Sequence, residues 1–140
     1  MDDLVLISIK TKYVKQIFNG TKKYEFRKKT IGNDNLNKKI YVYSSKDEKA
    51  IIGYIVIDKI IKDSLNNLLI ATNNIGNMDI INYFKDCNEC YAFHIKDYYI
   101  FKKIIKLEQL KSEYNNFTVP QFYRYIKNDN KLYDDLKNRE

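Results

Sequence analysis

Three residues that could do chemistry together, Lys22, Glu25 and Arg27, lie within residues 20–29, GTKKYEFRKK. Aromatic residues alternate with Glu25 and Arg27, which predicts a strand that carries the carboxylate and the guanidinium on one face. An arginine offers a planar fork of donors for a phosphate or a base edge. A glutamate can hold that fork and accept from a base amino group. Taken alone, a cluster of this kind is more often a solvated strand with a surface salt bridge. If it is a site, the carboxylate, which weakens plain phosphate binding, indicates recognition of a base or nucleoside rather than of the phosphate backbone alone.

Cys87, Cys90 and His94 form a second group with the chemistry of a metal site. A structural zinc site takes four ligands, and the chain has no other cysteine or histidine. A redox C-x-x-C pair usually opens a helix, whereas this one leads into a strand pattern. We therefore predict two buried or half-buried thiols, no metal and no cofactor. His94 is expected on the less apolar face of a strand, where a surface position is commoner than a general base.

The hydrophobic pattern predicts the elements that must position these residues. A helix is expected over residues 11–20, with Thr11 as its cap. Gly53, inside the fourth strand, indicates a bulge or a close approach of backbone. The first four strands are predicted at residues 4–10, 23–29, 39–45 and 50–62.

The second half of the chain mixes helical and strand patterns. Two helical stretches are predicted within residues 63–87, and residues 90–107 indicate two strands with a turn near Asp97. Pro120 is placed to open a short helix. These elements do not alternate as βαβ units, so we predict an α+β fold. In it, five to six strands curl into a small curved barrel, with an early helix and a central helical insertion. We expect residues 1–127 to form one domain, and residues 128–140 to be a polar tail or frayed helix.

Composition excludes some classes of protein. The 140 residues carry a net charge of +7, which attracts phosphates over long range, although the AT-rich codons of Lys, Asn, Ile and Tyr explain part of it. Nothing approaches the ~18 apolar residues of a membrane helix. The acidic N-terminus passes into a strand pattern rather than a secretory signal. With only two cysteines, the expected compartment is a reducing cytoplasm.

An ordered set of segments resembles the ASCH domain, a branch of the PUA-like superfamily. The segments cover nearly the whole chain and read ISIK, IFNGTKKYEFRKK, IYVYSS, IIGYIVIDKII, CYAFHIKD and VPQFYRYI. The family signature is a glycine, a basic residue and a Glu-x-Arg pair after the first helix. Gly20, Lys22, Glu25 and Arg27 match it here.

The resemblance implies a pseudo-barrel with a cleft between the barrel and the early helix, whose walls carry the signature. The strand end that bears Ser44 and Ser45 would border this cleft and contact a phosphate oxygen, with Lys49 across the turn. The match near the C-terminus brings Gln121 and Tyr123 towards the cleft, where an aromatic ring could stack on a base.

Members of the family are described as RNA-binding or coactivator-associated modules, and some relatives are enzymes. One bacterial group deacylates a modified cytidine, and another cleaves RNA. The deacylases use a Lys, a Thr and a Glu, and this chain has Glu25 where their threonine would stand. Because the hydroxyl nucleophile is missing there, the deacylase activity is not transferred to this chain.

We therefore predict an RNA- or nucleotide-binding module whose basic cleft is centred on Lys22, Glu25 and Arg27, with RNA or a nucleotide-like small molecule as partner and no membrane. The alternative is a small metal-independent hydrolase, either a ribonuclease or an amidohydrolase of a modified nucleoside. In it, Lys22 would stabilise developing charge and Glu25 would act as general base. A third alternative is an interaction module with a vestigial cleft.

Overall fold

The computed structural model describes residues 3–139 of the chain. Within these residues, six strands and five helices follow one another in a mixed order, with a 3-10 turn at Asn33–Asn35. In chain order they are β1 (Leu4–Lys10), α1 (Thr11–Phe18), β2 (Tyr24–Arg27), β3 (Lys39–Ser45), β4 (Ala50–Asp63), α2 (Leu65–Ala71), α3 (Met78–Tyr83), β5 (Cys90–Lys106), α4 (Leu107–Glu113), β6 (Tyr123–Ile126) and α5 (Lys131–Asn138).

All six strands form one curved sheet in the order β2-β5-β4-β3-β1-β6. The β1 and β3 strands run parallel, and the other neighbouring pairs run antiparallel. The α+β prediction is therefore confirmed. The sheet does not close into a barrel, because the edge strands β2 and β6 do not pair with each other.

Helices cover both faces of the sheet. Alternate residues of β1 point to opposite sides, as strand geometry requires: Ile7 belongs to the core cluster under α1, and Leu6 to the cluster under α4 and α5. A third, smaller cluster lies between α2, α3 and the β5 strand, where Phe84 and Cys90 are buried. In the described part of the chain, residues 3–139, no helix has the length and apolarity needed to cross a membrane.

Three local predictions need correction. The segment expected to hold a turn near Asp97 is one strand, β5, because register shifts along the β4–β5 ladder absorb the mismatch while Asp97 pairs with Val56. Thr11 is the first residue of α1, not its cap, and Lys10 occupies the cap position. Pro120 precedes strand β6 rather than opening a helix. Of the two alternatives left open for the C-terminal segment, a polar tail or a frayed helix, the structure has a helix, α5, whose Leu132, Tyr133 and Leu136 are buried.

Gly53 occupies the predicted irregularity, since the β4 register shifts between Ile51 and Gly53. A Cβ at this position would lie 1.9 Å from the backbone oxygen of Tyr99 on β5. The long β4–β5 ladder therefore requires a residue without a side chain at this position.

We expect Gly53→Ala to lower the free energy of unfolding by about 3 kcal/mol, because the added methyl group would displace backbone. Gly76→Ala is the matched control. Gly76 has a φ of +78° and no atom within 4 Å of an added Cβ, so only the left-handed backbone costs energy, about 1 kcal/mol. Urea unfolding of both variants measures the difference, and equal losses would contradict this account of Gly53.

Candidate functional site

A cleft of about 1070 Å³ opens between α1, β2, the α2–α3 segment and residues 119–121. Helix α1 contributes Tyr13 and Gln16 to its wall, and β2 contributes all four of its residues. The early helix therefore borders the cleft, as the resemblance implied.

The end of α1 fixes the backbone that carries Lys22. Gly20 adopts a φ of +83° just past the helix, the left-handed conformation that glycine favours. The backbone N–H groups of Thr21 and Lys22 then both donate to the carbonyl oxygen of Gln16, at 3.0 and 3.0 Å. On the other side, the N–H of Ile95 in β5 donates to the carbonyl oxygen of Lys23. Lys22 is thus held between a helix end and the edge of the sheet.

Glu25 and Arg27 form a largely buried ion pair. The Arg27 Nε and Nη2 atoms each lie 2.8 Å from Glu25 Oε2, and Nη2 also donates to the carbonyl oxygen of Ser8 at 2.6 Å. The Arg27 guanidinium lies 5.0 Å from the ring centroid of Phe122. Because Ser8 belongs to β1 and Phe122 precedes β6, Arg27 connects β2 to the opposite edge of the open sheet.

Ser8 completes this connection. Its N–H donates to the carbonyl oxygen of Phe122 at 2.9 Å, and its Oγ donates to the carbonyl oxygen of Pro120 at 2.6 Å. Residues 119–121, which line the cleft, are therefore fixed beside the ion pair.

Lys22 is a partly buried cation that lines the cleft. Its Nζ lies 5.0 Å from the ring centroid of Tyr13 and 5.0 Å from that of Phe26. Burial lowers the pKa of Lys22, Glu25 acts in the opposite direction, and Arg27 lowers that pKa further. Lys22 therefore releases its proton more readily than a surface lysine.

The charged and aromatic residues in the walls of the cleft are mostly cations and rings. Two carboxylates, Glu25 and Asp79, face a larger number of cations and rings. The cations are Lys10, Lys12, Lys22, Lys23, Arg27 and Lys46, and the rings are those of Tyr13, Tyr24, Phe26 and Tyr83.

The predicted site residues are only partly brought together. The central residues Lys22, Glu25 and Arg27 line the cleft, and so does Ser45. Ser44, predicted to contact phosphate, is instead fully buried, and its Oγ lies 2.9 Å from Thr11 Oγ1.

Two further predicted contacts lie outside the cleft lining. Lys49 is exposed at the far end of the β3–β4 turn, whereas Lys46 at the near end lines the cleft. Tyr123 packs against the core cluster under α1, where burial raises its pKa. Gln121, two residues earlier, lines the cleft. It precedes β6, so the alternation of side chains along that strand does not determine its direction.

Several cleft residues were missed. Tyr13 and Gln16 stand three positions apart on α1, beside the buried Val14 and Ile17. This second helical stripe was visible in the sequence. The α2–α3 residues that face the cleft, Ala71, Thr72, Asn73, Asn74, Asn77, Asp79, Ile80 and Tyr83, carry no such signal. Their position depends on how the insertion packs on the sheet.

The cysteine and histidine group lies elsewhere. Cys87 is half-buried and Cys90 buried, both as free thiols, as predicted, and burial raises the pKa of Cys90. His94 Nδ1 lies 2.6 Å from Asp58 Oδ1, and this hydrogen bond lowers the pKa of Asp58. Within residues 3–139, no three His, Cys, Asp or Glu side chains are grouped so as to hold a metal ion.

Comparison with known proteins gives consistent matches. A model of the ASCH domain matches residues 7–117. An ASCH domain-containing ribonuclease from Zymomonas mobilis is 26% identical over 127 residues, covering 89% of this chain and 84% of the relative. The crystal structure of ASCH from Zymomonas mobilis superposes with a TM-score of 0.78 at 25% identity, covering 91% of this chain and 90% of the other. The N-terminal domain of Staphylothermus marinus McrB shares the fold, with a TM-score of 0.61 at 14% identity over 100% of this chain and 99% of that domain.

Replacing Arg27 by lysine tests the connection between the sheet edges. The charge is kept but the planar set of guanidinium donors is lost, so one of the two acceptors, Glu25 or the Ser8 carbonyl oxygen, loses its hydrogen-bond donor. We expect a loss of about 2 kcal/mol in the free energy of unfolding. Lys62→Met is the control, because the Lys62–Glu89 pair is more than half exposed and its removal should leave stability nearly unchanged. Equal small effects in chemical denaturation would show that the connection is not required.

Replacing Lys22 by methionine tests its burial. In the folded protein the pKa of Lys22 is lowered from 10.5, so between the lowered value and 10.5 the unfolded chain binds more protons. Wild-type stability therefore rises with pH across that window. We expect Lys22→Met to be more stable than wild type at neutral pH, and this advantage to shrink as the pH approaches 10.5. Urea unfolding at neutral pH and at a pH close to 10.5 measures this difference in stability, with Lys23→Met as the control for loss of one charge. An advantage that does not change with pH would contradict the expectation.

Proposed function

The chain belongs to the ASCH domain family, and we propose that it binds single-stranded RNA in the basic cleft. One observation carries the proposal: the cleft combines six cationic side chains with four aromatic rings and only two carboxylates. Cations attract the phosphate backbone, and rings provide surfaces on which unpaired bases stack. A purely electrostatic surface for duplexes would not need rings inside a cleft.

The dimensions favour a strand over a single nucleoside. At about 1070 Å³, the cleft slightly exceeds the roughly 300–1,000 Å³ that holds a drug-sized ligand. The Tyr83 side chain, which lines the cleft, is 40% exposed, so a second base of the strand, outside the site of Lys22 and Glu25, can contact its ring. The relative named as a ribonuclease supports RNA as the nucleic acid.

The central residues take different roles in this proposal. Lys22 contacts the ligand as the partly buried cation. Glu25 accepts a hydrogen bond from a base amino group. Arg27 orients Glu25 and does not bind the ligand with all of its donors, since two of its nitrogens already donate within the protein. Ser45 contacts the phosphate backbone of the RNA at the rim of the cleft.

A ribonuclease activity is the second candidate, favoured by the lowered pKa of Lys22 next to Glu25. In this reaction Glu25 takes the proton of an RNA 2′-hydroxyl, whose oxygen forms a bond to the adjacent phosphorus. The bond from phosphorus to the 5′ oxygen breaks, and that oxygen takes a proton from Lys22. The products are a 2′,3′-cyclic phosphate and a 5′-hydroxyl. An amine with a lowered pKa suits the transfer because it donates its proton more readily near neutral pH.

Fluorescence anisotropy against salt concentration tests the binding. We expect log affinity for a mixed-sequence single-stranded RNA to fall linearly with log salt. Lys22→Met should weaken binding about tenfold or more, because it removes the central contact. Lys62→Met, which removes an exposed cation paired with Glu89, should change affinity by less than about twofold.

The same RNA is then examined on a denaturing gel. RNA cut by wild type to 2′,3′-cyclic ends, and left intact by Lys22→Met, would establish the ribonuclease. Intact RNA with tight binding would establish a binding module. Equally weak binding by wild type and both variants would contradict the proposed function.

A further inference from the structure

We propose that one corner of the cleft, formed by Lys10, Lys12, Ser45 and Lys46, is a phosphate-binding subsite, and that Thr11 is the residue that positions it. We refer to these four residues as the phosphate corner. The inference rests on the proposed function and deepens it, because it states where the RNA backbone is bound, as distinct from a base.

Thr11 makes hydrogen bonds to the end of β3 and to the β3–β4 turn that follows it. Its Oγ1 donates to the carbonyl oxygen of Ser45 at 2.7 Å and accepts from the N–H of Glu48 at 3.1 Å. The Ser44 Oγ lies 2.9 Å away. A hydroxyl has one proton and two acceptor positions, so Ser44 is the donor in that contact and the bonding capacity of Thr11 is fully used. Thr11 is only 3% exposed.

These bonds fix two elements against each other. Lys10 and Lys12 flank Thr11 at the start of α1, whereas Ser45 ends β3 and Lys46 begins the turn that follows it. All four line the cleft. Thr11 itself reaches no ligand in this arrangement, and its effect is to set the separation of the lysines on the two elements.

The corner differs chemically from the centre of the cleft. Three ammonium groups and a hydroxyl suit the several oxygens of a phosphate. The turn also carries Asp47 and Glu48, which are exposed and lie outside the cleft lining. The centre, in contrast, holds the carboxylate of Glu25. A phosphate is therefore better accommodated in the corner and a base at the centre.

The turn supplies a matched pair of lysines. Lys46 has a φ of 83° and Lys49 a φ of 50°, so both adopt the left-handed conformation that side chains disfavour. Only Lys46 lines the cleft. Replacing either by glycine removes one charge from the same turn and relieves the same kind of backbone strain.

The first experiment compares Lys46→Gly with Lys49→Gly by anisotropy against salt with the mixed-sequence RNA. We expect Lys46→Gly to keep or raise thermal stability yet weaken RNA binding about three- to tenfold, and the salt slope to fall by about 0.7, the loss of one phosphate contact on a single strand. Lys49→Gly should keep affinity within about twofold. Equal effects of the two variants would overturn the corner as a subsite.

The second experiment tests Thr11. Thr11→Val removes all three hydrogen bonds, and we expect the same loss of affinity and slope as in Lys46→Gly, with little further loss in the double variant. Thr11→Ser keeps the hydroxyl, so we expect it to bind RNA with the wild-type affinity. Circular dichroism at the assay temperature confirms that each variant is folded. If Thr11→Val does not fold, the binding of Thr11→Ser and the comparison of Lys46→Gly with Lys49→Gly still decide whether the phosphate corner is a subsite. Additive losses in a folded double variant would overturn the positioning role.

These outcomes separate the two proposals. A wild-type protein that binds no RNA would contradict the proposed function. A wild-type protein that binds RNA, with Lys46→Gly and Thr11→Val unaffected, would contradict only the phosphate corner.

Discussion

The contact between Arg27, Glu25 and the carbonyl oxygen of Ser8 joins the two edges of a sheet that does not close. Glu25 is 4% exposed, and a carboxylate so far from water must be paired and hydrogen-bonded. The Ser8 carbonyl lies where β1 leaves its β6 partner, and a buried backbone oxygen also needs a donor. The planar guanidinium satisfies both acceptors at once, which the single ammonium group of a lysine cannot do in the same geometry.

The cleft follows from this connection. Because β2 and β6 are joined by one side chain rather than by a ladder of backbone hydrogen bonds, the gap between them stays open to ligand. The end of α1 and the α2–α3 segment provide the remaining walls. Ser8 holds residues 119–121 in place through two hydrogen bonds, so the opening has fixed walls on the side of the ion pair.

Lysines in the cleft fall into two physical classes. Lys22 is partly buried between the rings of Tyr13 and Phe26, and burial lowers its pKa. Lys10, Lys12 and Lys46, in the phosphate corner, are exposed. A partly desolvated charge costs stability, and such costs tend to be retained where a ligand uses them. Exposed lysines instead attract phosphate from a distance and remain sensitive to salt.

Local sequence determined much of this protein: the first four strands, the helix α1, the irregularity at Gly53 and the grouping of Lys22, Glu25 and Arg27. These depend on the alternation, helical periodicity and residue chemistry of contiguous segments. Tertiary structure alone decided that β5 runs unbroken past Asp97, that Gln121 rather than Tyr123 faces the cleft, and that Lys46 rather than Lys49 lines it. Each of these depends on contacts between segments far apart in the chain, such as the hydrogen bonds from Thr11 to the β3–β4 turn. The spacing of residues within one segment carries no information about such contacts, because they form only when the sheet and its helices have packed.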